Sequence, residues 1–141
     1  MTTSPRRVVL GAAAAGLLVS TLGASASPLP TPALAIAGPE AAVVGFASPE
    51  VVAVQGQAVQ FLNADTVGHT ITSVASKAVR IKYGKKYYVM HVPLFDSGSV
   101  SSAALGTVKG ANTLKPGSYA FYCSVHTGMK GTLVVEASPV G

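Results

Sequence analysis

An internal disulfide needs two cysteines, and this chain of 141 residues has one, Cys123. Tryptophan is absent and aromatic residues make up 6%, so any core is expected to be mostly aliphatic. Charged side chains are sparse at 11%, with five acidic residues among them. Neither Asp96 nor Glu136 has the neighbours of a catalytic carboxylate pair. No stripe of interleaved basic and aromatic residues marks a nucleic-acid surface, and no nucleic-acid partner is expected. There are three histidines, His69, His91 and His126, and no H-x-H pair. Helical periodicity is missing beyond the first residues, and no internal repeat is visible.

What the chain does have begins with an export signature. Arg6 and Arg7 precede an apolar stretch from Val8 to about Gly23, and Ala24-Ser25-Ala26 offers a small-x-small cleavage site. This is the order of a secretory leader, expected over residues 1–26, and the arginine pair resembles the twin-arginine type. An uncleaved anchor is the competing reading, but the stretch is shorter than the ~20 apolar residues a spanning helix needs. The mature domain is expected without stable membrane insertion, in the periplasm or outside the cell. Pro28, Pro30, Pro32 and Pro39 make residues 27–39 read as a linker, because proline removes donors and fixes φ. Cleavage after Ala35 or Ala37 is a second possibility. The folded unit is then expected over 40–141. Without the leader's arginines, the formal charge of +5 becomes +3, from eight basic and five acidic side chains.

Short β-type runs follow, punctuated by glycine, proline, asparagine and aspartate. They cover residues 51–54, 57–63, 70–74, 117–122 and 132–136, and residues 78–92 read as a hairpin turning at Gly84. Such a series predicts an all-β Greek-key sandwich or barrel. Within the run from Tyr119, residues Tyr119, Phe121 and Cys123 share one face. Cys123 therefore points inward at the end of a strand, and the loop 124–130 turns back into the last strand.

A lone cysteine is often a small buried hydrophobe. In an exported chain it also raises the possibilities of a free thiol, an intermolecular bridge or a metal. His126 and Met129 follow Cys123 at spacings of three residues, and His69 can arrive from another strand. Two imidazoles, a thiolate and a weak thioether form the ligand set of a mononuclear blue copper site. In that set His69, Cys123 and His126 make a plane and Met129 lies axially. Such a plane suits Cu(I) and Cu(II) alike, which favours single-electron transfer without an open position for substrate.

Three stretches carry a family resemblance. They are Asn63-Ala64-Asp65-Thr66-Val67-Gly68-His69-Thr70, Leu94-Phe95-Asp96-Ser97-Gly98, and the run from Leu114 through Cys123, His126 and Met129 to Val135. Over about residues 40–137 the chain resembles the small blue copper proteins of the cupredoxin superfamily, in the plastocyanin/amicyanin group. The resemblance implies a cupredoxin-like fold, one copper ion on His69, Cys123, His126 and Met129, and a backbone N–H from Thr70 to the thiolate. It also implies electron exit at the exposed edge of His126, with transient docking of redox proteins there by a monomer. Gly68, Val125 and Thr127 depart from the prolines common in the group, and residues 78–93 look like an insertion.

An enzyme is not expected, since three histidines without an H-x-H pair cannot build a trinuclear copper cluster. A copper-buffering or copper-delivery protein would use the same ligands and remains the alternative. His91 reads as a surface residue, although Met90 and His91 could make a secondary copper contact. Lys77, Arg80, Lys82, Lys85 and Lys86 form either a solvated face or a docking patch for an acidic redox partner or an anionic surface.

Overall fold

The computed structural model describes residues 30–139. The expected leader over 1–26 lies outside them. Among the described residues, no helix is long and apolar enough to cross a membrane.

Alternation of buried and exposed positions organises two sheets around one core. The first contains β1 (Ala33–Ala37), β3 (Val59–Asn63) and β7 (Ala104–Thr107), in the order β1-β3-β7. The second contains β2 (Glu50–Val54), β4 (Thr72–Ser73), β8 (Gly117–Tyr122) and β9 (Lys130–Glu136), in the order β2-β9-β8-β4. Between β4 and β7 the chain makes a separate two-stranded hairpin, β5 (Ser76–Tyr83) and β6 (Lys86–Pro93). A single turn of helix, Ala41–Val44, follows β1. The architecture is the all-β sandwich expected.

Aromatic rings bridge the two sheets. Phe46 packs edge-on against Phe61 of β3 at 6.1 Å and against Phe121 of β8 at 5.2 Å. Val51, Val59, Ile71, Phe95, Leu133 and Val135 fill the space around them. The residue paired with Phe121 on β9 is Gly131, and a side chain there would strike the Phe121 ring. Phe121 and Cys123, two residues apart, are both buried on that side of the chain.

One expectation is corrected. Residues 27–39 are not all linker, because Ala33–Ala37 is a strand paired in parallel with all of β3. Ala33, Ala35 and Ala37 are buried, so the fold begins before residue 40. Cleavage after Ala35 or Ala37 would cut this strand away. The pattern is inverted: small alanines face the core, while Leu34 is 43% exposed. The expected strand over 70–74 is shorter than anticipated. Only Thr72 and Ser73 pair with β8, because His69 is held by a bridge to Val100 instead.

Candidate metal centre

Strand β8 ends by delivering Cys123 to the core, fully buried. The loop behind it is closed by backbone bonds. Cys123 N–H donates to Met129 C=O at 3.0 Å, and Met129 N–H donates to His126 C=O at 3.0 Å. These bonds fold the seven residues from Cys123 to Met129 into a tight arch. Met129 is fully buried, and His126 is half-buried.

His69 arrives from the other side of the arch. Its backbone exchanges two hydrogen bonds with Val100, at 3.1 and 2.9 Å. The turn before it is set by Asn63 at the end of β3. That buried amide donates to Val67 C=O and Val100 C=O, and its carbonyl accepts the N–H of Asp65. Asp65 is thereby aimed at His69, whose Nε2–H donates to Asp65 Oδ2 at 2.8 Å. A carboxylate only accepts, so Nε2 carries a proton and Nδ1 is the ring nitrogen that faces the arch. The bond to His69, with N–H groups of Thr66 and Glu40, holds the Asp65 carboxyl down at about 2.

The donor atoms converge. His69 Nδ1 lies 3.7 Å from Cys123 Sγ and 3.1 Å from His126 Nδ1. One ligand atom from each of His69, Cys123 and His126 falls within 4.8 Å of the others. Burial pushes the Cys123 thiol up, but N–H groups of Thr70, His126 and Val125 and the His69 ring outweigh it and hold it at about 6. The sulfur is therefore mostly thiolate at neutral pH. Two imidazole nitrogens at this separation can share only one proton, and the thiolate beside them adds negative charge. A cation between the three would satisfy all of them, and the set of soft sulfur and imidazoles suits copper.

Around the sulfur, Thr70 performs two tasks. Its backbone N–H donates to Cys123 Sγ at 3.3 Å, the contact the resemblance implied. Its hydroxyl accepts the N–H of Ser124 at 2.8 Å and meets the hydroxyls of Thr72 and Ser124, each at 3.1 Å. Thr72 donates onward to Asp96 Oδ1 at 2.9 Å. This fixes the direction of the chain: Thr70 O–H donates to Thr72, and Ser124 O–H donates to Thr70. The network ties the start of the arch to β4.

All four expected site residues stand at the same end of the sandwich, and three of them bring their donor atoms together. His91 does not join them; it is exposed on β6, paired with Ala78. Asp65 is the residue that motif reading passes over. Its signal was present as an acidic residue four positions before the first histidine, within a turn signalled by Asn63.

Comparison with known proteins adds three findings. The family model described as copper binding proteins of the plastocyanin/azurin family matches residues 33–136. A purple cupredoxin from Nitrosopumilus maritimus has a similar structure, with a TM-score of 0.53 and 21% identity, over 74% of this chain and 99% of that one. A reduced amicyanin variant matches at a TM-score of 0.49 and 17% identity, over 80% of this chain and 88% of that one. No curated protein sequence matches.

Proposed function

The chain belongs to the plastocyanin/azurin family of copper-binding proteins, and from that premise we propose that it is an exported carrier of single electrons between redox proteins. His69, Cys123 and His126 are positioned to bind one copper ion, and Met129 would be the fourth, weak thioether ligand. Copper bound there supplies a one-electron Cu(I)/Cu(II) couple. The observation that carries the reading is the preset trio of donors, already gathered within 4.8 Å and fastened from behind. Asp65 fixes the His69 tautomer and orientation, and Thr70 fixes the sulfur and the arch. Ligands that need not move on a change of charge suit fast electron exchange.

Burial supports a route in and out. His69, Cys123 and Met129 are all buried, whereas the His126 ring is partly exposed beside Val125, which is 57% exposed. This edge is the proposed docking point for redox partners, where apolar contact excludes water during a short encounter. Export rests on the leader-like residues 1–26. Replacing Arg6 and Arg7 by lysine should block export if the twin-arginine route is used.

The direct test is to add Cu(II) to the protein and record its visible spectrum. The wild type should develop an intense thiolate-to-copper band and a reversible couple, and Cys123→Ser should show neither. A fully loaded but colourless wild type would overturn the proposal. Ready surrender of Cu(I) to a competing chelator, without a reversible couple, would assign the protein to copper delivery instead.

A further inference from the structure

The hairpin β5–β6 has no counterpart in the chemistry described so far. It holds five cations, Lys77, Arg80, Lys82, Lys85 and Lys86, and no acidic residue. The remaining described residues hold three cations against five anions, a net of −2. Five of the eight cations among the described residues are thus gathered on one finger. Its eight-residue strands extend for ~26 Å at ~3.3 Å per residue. The Gly84-Lys85 turn closes it, with Gly84 at φ 60° as a two-residue hairpin turn requires.

The finger is also apolar where it meets solvent. Six of the fourteen exposed large apolar side chains among the described residues lie on it. Register sorts them by face. Val79 is opposite Met90 and Ile81 is opposite Tyr88, so these four share one face with Tyr83 and Val92. Val79 and Val92, near the base, are half-buried; the outer four side chains are exposed. On the other face Arg80 stacks over the Tyr87 ring at 4.0 Å. Two-stranded hairpins are marginal on their own in water, and neither face of this one packs into the sandwich core.

We infer that this hairpin docks the protein on an anionic lipid bilayer, its Val79–Ile81–Tyr88–Met90 face entering the interface and its lysines meeting the headgroup phosphates. An amphipathic element that joins apolar side chains to lysine and arginine adsorbs at such surfaces, and tyrosine rings favour the boundary between tail and headgroup. Charge selects this occupant. Two copies of a finger bearing five cations repel, which opposes self-pairing. The exposed apolar face of Ile81, Tyr83, Tyr88 and Met90 favours a bilayer over a soluble redox partner. Val74 N–H still donates to Ala120 C=O on β8, so the hairpin leaves the sheet three residues down the strand from Cys123.

The test uses the chain from residue 30 onward, which retains every described strand. Its flotation with vesicles rich in phosphatidylglycerol is compared with flotation on pure phosphatidylcholine. Binding to the anionic vesicles is expected. Replacing Lys82, Lys85 and Lys86 by glutamine should weaken it by roughly a hundred-fold, at about fivefold per cation near a charged bilayer. Because the chain lacks tryptophan, Tyr83→Trp gives a single reporter, whose emission should shift to the blue and be quenched by brominated lipid. Unchanged unfolding midpoints verify that the variants fold. Three results would overturn the inference: no binding to anionic vesicles, equal binding by the glutamine variant, or a reporter that answers to an acidic protein or DNA but not to vesicles.

Discussion

Asp65 shows how much a single side chain outside the ligand set can govern. Its carboxylate receives the proton-bearing nitrogen of His69 and, through Oδ1, the N–H groups of Glu40 and Thr66. Asp65→Asn keeps an acceptor but removes the negative charge and leaves the amide nitrogen poorly matched. Copper affinity should fall 10- to 100-fold, as for other groups that orient a ligand histidine. The reduction potential should rise, because the lost charge favoured Cu(II). Competition titration and voltammetry check the two effects. Cys123 sets a second expectation, for the metal-free protein. Its thiol is held at about 6, below the ordinary value of 9.0. A depressed acid stabilises the fold fully above the unfolded value and loses that contribution as pH falls through the folded one. Urea midpoints, measured with a reductant, should therefore decline from pH 9 toward pH 6. Cys123→Ala should flatten the decline. At this scale the sequence was most readable. Cys123, His126 and Met129 lie in one short loop, whose spacing alone makes their convergence possible. The part played by Asp65 was hidden, since it depends on how Asn63 folds the turn between them.

Among the elements, β1 illustrates why composition misleads. Prolines on both sides and alanines within it mimic a linker, and the larger Leu34 points away from the core. The buried positions Ala33, Ala35 and Ala37 carry only methyl groups, so the usual sign of a buried strand, large apolar residues in alternation, is absent. Its removal should nevertheless be severe. A chain starting at residue 38 loses the parallel partner of β3, exposing Val59 and Phe61 and the strand edge that leads into Asn63. Such a chain should unfold at much lower denaturant than one starting at residue 30, by several kcal/mol, within the range for large losses of core packing. Equilibrium unfolding of both settles the matter. The hairpin, by contrast, was legible nearly to the residue, because Val79, Ile81 and Tyr83 alternate with Arg80 and Lys82 around a glycine turn.

Taken whole, the molecule divides into a slightly acidic sandwich and a strongly basic finger. The two are joined at a narrow base, where Leu94 N–H donates to Ala75 C=O at 3.1 Å. Ser73 on one side and Phe95 on the other close that base independently, with Ser73 N–H donating to Phe95 C=O at 3.0 Å. Replacing residues 76–93 by a short turn should leave the copper spectrum and potential unchanged, since Asp96, Thr72 and every donor stay in place. Loss of colour in that variant would show that the finger is part of the fold.

The distance along the chain between His69 and Cys123, 54 positions, has a last consequence. A half-folded chain possesses at most the short arch, with one strong sulfur and one imidazole, and the second imidazole comes only when distant strands have closed. Non-local pairings of this kind form slowly. The three-donor pocket is therefore complete only once those strands have met, and the onset of colour during refolding with copper present would time that closure.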